Sequence, residues 1–131
     1  MVQPYLPAIE TEGEWSLVYF NHRFSHAVIK KPRTDDFRVQ AAFGGAAEAA
    51  EPCATALAFA QGVLDRLPWP ALFARVDLIA DGAGIRLMEL EAIEPELFLH
   101  LVPEAARRLA SAIQEKLQEA PRRGRPCGSR A

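Results

Sequence analysis

Three carboxylates on two neighbouring stretches are the residues of this chain most suited to chemistry. Alternation from Ile85 to Ile93 places Glu89 and Glu91 on one face of a predicted strand, with apolar neighbours. The stretch Arg75 to Ile79 predicts a second strand, and it carries Asp77. Carboxylates that converge on one face repel each other, and hard oxygen ligands of this kind suit Mg²⁺ or Mn²⁺. Alternation alone leaves two interpretations open, a divalent-metal site and a solvated acidic face.

The turn between the two strands decides whether the acids meet. The connecting residues are Asp81-Gly82-Ala83-Gly84, a turn sequence. If Gly82 to Gly84 form the loop, Asp81 pairs with Ile85 and Asp77 falls directly opposite Glu89. A loop one residue shorter or longer would put the two carboxylates on opposite faces. We expect the three-residue loop, which places Asp77 and Glu89 side by side on the two strands.

The rest of the chain supplies elements that can position these acids. Asn21-His22 separates two stretches rich in β-branched and aromatic residues and predicts a hairpin, because asparagine tolerates positive φ. Val2 to Ile9 is expected to be extended, and the alanine-rich run Ala46 to Ala50 is expected to be a loop. The predicted elements are strands at Glu14–Tyr19, Phe24–Lys30 and Phe37–Phe43, a helix at Cys53–Leu67, strands at Phe73–Ile79 and Ile85–Ile93, and a helix from Pro103 to a stop at Pro121.

This order of elements favours an α+β fold, an antiparallel sheet of about five strands with both helices on one face. The carboxylates would then lie on the open face, with Arg38 and Lys30 nearby. The last helix is expected to pack through a stripe of apolar residues at helical spacing. That stripe consists of Ala106, Leu109, Ala110, Ile113 and Leu117.

Length, charge and cysteine content narrow the functional classes. The chain has 131 residues and a formal charge of −2, which fits one globular domain with its own core. The last eleven residues hold four arginines and no acid, so the body is acidic and does not suggest a nucleic-acid partner. We expect residues 1–120 to form the domain and 121–131 a disordered tail. No signal peptide or membrane span is expected, and two distant cysteines favour a reducing cytoplasm.

Four motifs in order resemble the ATP-grasp superfamily, in particular its glutathione-synthetase-like carboxylate-amine ligases. They are Gln3-Pro4-Tyr5-Leu6-Pro7-Ala8-Ile9, Asp36-Phe37-Arg38-Val39-Gln40 with Phe43-Gly44-Gly45, Arg75-Val76-Asp77-Leu78, and Met88-Glu89-Leu90-Glu91 with Ile93-Glu94-Pro95. The resemblance runs from Gln3 to about Leu117. It implies the C-terminal lobe of an enzyme that holds ATP between two α+β lobes and activates a small carboxylic acid as an acyl phosphate.

The resemblance also implies roles for single residues. Asp77 and Glu89 match the acidic ligands of Mg²⁺ (or Mn²⁺), and Glu91 replaces an asparagine often found at the third position. Arg38 would contact the transferred phosphoryl group, where a guanidinium fork suits anionic oxygens. The implied nucleotide-binding residues are Gln3, Pro4, Tyr5 and Leu6 along the adenine, Glu14 at the ribose, Lys30 as an assisting cation, and Gly44 and Gly45 near the substrate.

The resemblance further implies a partner. We expect the N-terminal lobe to be missing from these residues and this chain alone to be inactive or nearly so. Independently, the extended apolar opening from Val2 to Ile9 leads us to expect that Met1 is an internal or misassigned start. Two other functions stay open, a non-catalytic nucleotide-binding or scaffold domain and a metal-dependent hydrolase that uses the same carboxylates. No nucleic-acid or membrane partner is expected, and homo-oligomerisation is left open.

Overall fold

One antiparallel sheet forms the centre of the molecule. The computed structural model describes residues 5–31 and 46–119. Five strands lie side by side in the order β3-β2-β1-β4-β5, and each pairs antiparallel with its neighbour. The bounds are α1 Ala8–Thr11, β1 Glu14–Phe20, β2 Arg23–Lys31, β3 Ala46–Ala50, α2 Ala54–Leu64, β4 Phe73–Asp81, β5 Gly84–Glu91 and α3 Ala105–Glu119. The predicted α+β class with an antiparallel sheet is confirmed.

The hairpin β1–β2 turns at the two residues that the sequence indicates. Asn21 and His22 have φ values of 47° and 59°, and Phe20 pairs with Arg23. Two successive positive φ values match the right-handed twist of the flanking strands, which favours asparagine at the first position. The Asn21 side chain also donates to the carbonyl oxygen of Ala112 on α3, at 3.1 Å. The turn therefore ties the hairpin to the last helix.

The hairpin β4–β5 reaches the expected pairing by another route. Asp81 pairs with Gly84, so the loop has two residues and not the three from Gly82 to Gly84. The register then shifts between Asp77 and Leu78, because Leu78 pairs with Leu87 whereas Asp77 pairs with Glu89. Met88 is thus the extra residue of a β-bulge. The bulge places Leu87 and Glu89 on opposite faces, which corrects the predicted alternation, but Asp77 and Glu89 do lie opposite each other.

The two long helices pack on opposite faces of the sheet, which differs from the expectation that they share one. On β1 the side chains of Leu17 and Tyr19 pack in a core with α2, whereas Val18 and Phe20 pack with Ala112 of α3. Alternating residues of a strand point to opposite faces, so the helices must lie on either side. The face without α2 is therefore covered by α3 at the Phe20 end and carries polar residues at the Glu14 end.

Helix α3 is turned by about one residue from the predicted orientation. Its buried residues are Ala105 and Ala112, while Ile113 and Leu117 of the predicted stripe are 40% and 71% exposed. Contacts with the β1–β2 hairpin hold this orientation, since Asn21 donates to Glu115 at 2.8 Å and Arg108 donates to the carbonyl oxygen of Ser25. Small side chains at the contact let the helix lie close to the sheet.

We expect this orientation to show in paired substitutions. Ala112→Leu should lower the free energy of unfolding by about 1–3 kcal/mol, because added methylenes overpack a closed contact. Ala110→Leu, on the exposed side of the same helix, should change it by less than about 0.5 kcal/mol. Urea unfolding followed by circular dichroism would measure both. A larger cost at Ala110 than at Ala112 would restore the predicted stripe as the buried face.

Two other segments differ from the prediction, and one lies outside the described residues. The run Ala46 to Ala50 forms strand β3 on the edge of β2, although it was expected to be a loop. Residues from Ala8 to Thr11 form one helical turn where an extended segment was expected. The predicted strand Phe37–Phe43 lies in 32–45, which the structure does not describe. Within the described ranges, no helix combines the length and the apolar character needed to cross a membrane.

Candidate functional site

Polar residues gather on the sheet face opposite α2. Directly opposed residues on neighbouring strands share a face, and the register brings seven of these side chains together. The pairs are Glu14 with Lys30, Ser16 with Asp77, Asp77 with Glu89, and Arg75 with Glu91. We call these residues the Arg75 cluster. The acids were expected on a face away from both helices, whereas α3 packs on this same face at Val18 and Phe20.

Asp77 is the buried centre of the cluster. The residue is 1% exposed, and both of its carboxylate oxygens accept hydrogen bonds. Oδ1 accepts from the Ser16 hydroxyl at 2.6 Å and from Arg75 Nε at 2.9 Å. Oδ2 accepts from Lys30 Nζ at 3.2 Å and from Arg75 Nη2 at 2.9 Å. A buried charge persists only when it is paired and hydrogen-bonded, and Asp77 meets both conditions.

Arg75 joins the buried centre to the rim of the cluster. It precedes Asp77 by two residues on β4, so both side chains point to the same face. Its guanidinium contacts Glu91 at 2.7 Å and Glu89 at 3.5 Å in addition to Asp77. Burial opposes the charged form of Arg75, but the hydrogen bonds to Asp77 and the charges of Glu91 and Glu89 outweigh it and raise its pKa. One guanidinium thus forms ion pairs with three carboxylates.

Lys30 and Glu14 form an inner ion pair. The Lys30 ammonium contacts Glu14 Oε1 as well as Asp77, and its side chain is only 9% exposed. Both residues were expected to face the nucleotide, Glu14 at the ribose and Lys30 as an assisting cation. The structure places the Lys30 ammonium between two carboxylates of the protein. Lys30 and Arg75 thus both compensate the charge of Asp77, and both contact its Oδ2 atom.

Glu89 and Glu91 form the solvent-facing rim. Their side chains are 54% and 31% exposed. Burial raises the pKa of Glu89, and the neighbouring charges of Glu91 and Asp77 raise it further, while Arg75 acts in the opposite direction. The cluster holds four carboxylates and two cations, Lys30 and Arg75, so its formal charge is negative by two. A raised carboxyl pKa marks a place where added positive charge would be favourable.

The arrangement does not form a ready cage for Mg²⁺. Within residues 5–31 and 46–119, no three or more His, Cys, Asp or Glu side chains are arranged to hold a metal ion. The three carboxylates expected to bind metal are brought together, yet all of them are bonded to Arg75. Their donor chemistry suits a hard cation, but their present geometry is organised around a guanidinium.

The remaining predicted residues lie apart or outside the described chain. Tyr5 lies just before α1, and its hydroxyl donates to Glu10 within that helix. The carbonyl oxygen of Leu6 accepts a hydrogen bond from the Ile9 amide at 3.1 Å. Gln3, Pro4, Arg38, Gly44 and Gly45 fall in residues that the structure does not describe. Sequence reasoning missed two members of the cluster, Arg75 and Ser16. The i, i+2 spacing of Arg75 and Asp77 was the signal available for the first.

Comparisons with known proteins point to one group of enzymes. No protein-family model matches the chain. The cycloserine biosynthesis protein DcsG of Streptomyces lavendulae is 32% identical over 130 residues, which cover 90% of this chain and 42% of that protein. The crystal structure of D-cycloserine synthetase DcsG superposes with a TM-score of 0.74 at 28% identity, over 88% of this chain and 41% of that chain.

Two more distant structures share the fold. A D-alanine–D-alanine ligase from Bacillus anthracis, complexed with ATP, has a TM-score of 0.57 at 15% identity and covers 82% of this chain and 40% of that chain. The ATP-grasp ligase PsnB, complexed with a precursor variant, Mg and ADP, has a TM-score of 0.52 at 16% identity and covers 78% and 32%. The chain therefore spans about two fifths of the length of DcsG and of the alanine ligase. From its sheet, its helices and these likenesses, the chain has the α+β fold of the C-terminal lobe of ATP-grasp ligases.

Proposed function

We propose that this chain is the nucleotide-binding C-terminal lobe of an ATP-dependent ligase that joins a small carboxylic acid to an amine through an acyl phosphate. The observation that carries the proposal is the Arg75 cluster, which concentrates two cations and four carboxylates at the open end of a sheet with the ATP-grasp fold. Clusters of both signs suit a site that must hold phosphate oxygens and their counter-ions.

The relatives support the ligase class. DcsG is described as a D-cycloserine synthetase, and the alanine ligase and PsnB structures contain ATP or ADP. We extend from them the use of ATP and the joining of a carboxyl group to a nitrogen nucleophile. The acid and the nucleophile would be chosen largely by the other lobe, because this chain corresponds to about two fifths of DcsG. That lobe, in the same polypeptide or in a partner chain, is part of the proposal.

The roles proposed within this chain follow the position of each group. Glu89 and Glu91 at the rim would face the nucleotide phosphates, and Asp77 would anchor the basic residues beneath them. Arg38 stays the proposed contact of the transferred phosphoryl group, and Gln3 to Leu6 the proposed adenine segment. A bound Mg²⁺ would neutralise charge on the phosphates. In the structure, Arg75 is paired with all three carboxylates.

Titration of the full chain with Mg-ATP tests this function. We expect Mg-ATP to bind to the chain. We expect Glu91→Gln to weaken this binding at least tenfold, because the variant removes a negative charge that the proposal assigns to Mg²⁺, without changing the side-chain size. Glu104→Gln is the matched control, since Glu104 is exposed, lies on α3 and pairs with Arg107. Calorimetry would measure the dissociation constants, and the control should bind like the natural chain.

A second measurement decides the part that concerns the partner lobe. We expect the chain alone not to hydrolyse ATP with an acid and an amine, and we expect Mg-ATP affinity to rise when the N-terminal part of DcsG is supplied. Failure to bind Mg-ATP both alone and with that part would favour a non-catalytic scaffold. Steady turnover by the chain alone would contradict the need for a partner.

A further inference from the structure

Strand β5 has an open edge. In the order β3-β2-β1-β4-β5 it pairs with β4 alone, so within residues 5–31 and 46–119 no strand lies on its outer side. The main-chain groups along such an edge are a template for another strand. We infer that a second copy of this chain pairs there in the antiparallel direction, so that two β5 strands join two sheets into one. The inference is independent of ATP and of ligase activity.

The side chains along β5 are complementary to those of the same strand in the reverse direction. When the bulged residue is set aside, Leu87 is the centre of the strand, with Arg86 on one side and Glu89 on the other. A two-fold axis at Leu87 therefore places Arg86 opposite Glu89 of the second copy. It also places Ile85 opposite Leu90 of the second copy. Opposite charges and apolar pairs across a ladder stabilise a sheet, and the symmetry makes each pair occur twice.

This register also keeps each pair on one face of the joined sheet. Directly opposed residues share a face, and Arg86 and Glu89 are paired with β4 residues of the same face, Ile79 and Asp77. The apolar residues of β5 are paired with β4 residues of the other face, which packs against α2; they are Ile85, Leu87 and Leu90. The charge pairs would therefore lie on one face and the apolar pairs on the other.

The apolar side chains of β5 are only partly covered by this chain. Leu87, at the centre of the proposed contact, is 43% exposed. Ile85 and Leu90 are partly buried where they pack against the core under α2. Pairing with a second copy would remove apolar surface from water at all three residues, which favours association. The core under α2 would then continue across the two-fold axis.

The charges of β5 select the partner strand. Charged residues and a bulge keep an edge strand from pairing with unrelated strands. On β5 the cation Arg86 precedes the centre and the anion Glu89 follows it, so a matching strand must present the opposite order of charges. A second copy in the antiparallel direction presents that order, whereas a parallel copy would set like charges side by side. Both side chains can be reached from solvent, since those of Arg86 and Glu89 are 51% and 54% exposed.

Sedimentation velocity of the full 131-residue chain, with charge reversals, tests the pairing. We expect the natural chain to form a concentration-dependent dimer. Arg86→Glu and Glu89→Arg should each weaken the dimer by about tenfold or more, because each sets like charges opposite each other twice. A mixture of the two variants should regain the natural affinity, since opposite charges then meet again. Arg107→Glu is the matched control, because Arg107 is exposed on α3, and it should leave the dimer unchanged.

Several results would overturn the inference. They are a natural chain that stays monomeric at about 1 mM, a dimer that neither reversal weakens, and a mixture that stays as weak as its components. Protection of the β5 amides from hydrogen exchange only after the N-terminal part of DcsG is added would assign the edge to the other lobe, and would also overturn it.

Disulfide cross-linking covers the case in which a charge reversal does not fold. With Cys53→Ser and Cys127→Ser in the background, we expect Leu87→Cys to cross-link two copies under mild oxidation, because position 87 faces itself across the two-fold axis. Ile93→Cys is the matched control, since Ile93 is 85% exposed and lies beyond the end of β5. Equal or faster cross-linking of Ile93→Cys would overturn the inference. Neither experiment contains ATP, so failure of the ligase proposal and failure of this inference give different results.

Discussion

Asp77→Asn should lower the free energy of unfolding of this chain by about 3–5 kcal/mol, because it removes one partner of a buried ion-pair network. Asp77 is 1% exposed and accepts hydrogen bonds from Ser16, Lys30 and Arg75. Asparagine keeps the size of the side chain, but its amide cannot compensate two cations and offers hydrogen atoms where acceptors are needed. Urea unfolding at neutral pH, followed by circular dichroism, would measure the loss.

Glu89→Gln is the control for Asp77→Asn, since it removes a charge from the same cluster at the solvent-facing rim. The folded chain raises the pKa of Glu89, first through burial and then through Glu91 and Asp77, so folding disfavours its charged form. The stability contributed by this carboxyl is present at low pH and is lost as the pH rises through its folded pKa. Glutamine should therefore keep or slightly raise stability at neutral pH, with a difference that shrinks as Glu89 becomes protonated. Equal losses for Glu89→Gln and Asp77→Asn would contradict the network.

The pairing of Asp77 with Glu89 was predictable, but the route to it was not. The sequence indicates two strands, a glycine-containing turn and acids on one face. The structure has a loop shorter by one residue and an extra residue at Met88, and the two departures cancel in the register. Strict alternation assumes one phase along the whole strand, whereas a bulge reverses the faces of the residues beyond it. The predicted pairing of Asp77 with Glu89 was therefore correct, although the predicted three-residue loop was wrong.

Tertiary contacts decided the orientation of α3. Hydrophobic periodicity selects Ile113 and Leu117 as the buried side of the helix, yet Ala112 and Leu109 pack against Val18 and Phe20. The helix is held by polar contacts from the β1–β2 turn, which join residues about 90 positions apart and cannot be derived from a local pattern. Small residues at the contact carry little weight in a hydrophobicity pattern, although they permit the closest packing.

The sequence predicted which carboxylates lie in the cluster, but not the ion pairs that they form. Carboxylate positions followed from strand alternation and from the resemblance, and the register confirms that Asp77 and Glu89 meet. The part played by Arg75 needed side-chain geometry, because i, i+2 spacing places it on the correct face but does not say which acids it contacts. Strand β3 is a related case, since Ala46 to Ala50 has weak β propensity and forms a strand through its pairing with β2.

Gly13→Ala should lower the free energy of unfolding by about 2–4 kcal/mol, through two effects that add at one residue. Gly13 has a φ of +77°, a conformation that an L side chain adopts at a cost. A Cβ added there would lie 2.7 Å from the carbonyl oxygen of Lys30, which is backbone and cannot rotate away. The start of β1 would have to move from β2, and with it Glu14, which pairs with Lys30.

Gly82→Ala separates this local clash from a general effect of removing glycine. A Cβ at Gly82 would meet no atom within 4 Å, and Gly82 is not among the glycines with positive φ. Its replacement should change stability by less than about 0.5 kcal/mol. Because the Gly13 clash falls on Lys30, Gly13→Ala should also disturb the Lys30 ammonium, visible as a shift of its Nζ resonance, whereas Gly82→Ala should not. A stable Gly13→Ala variant with an unchanged Lys30 signal would contradict the close approach of β1 and β2 that positions the Arg75 cluster.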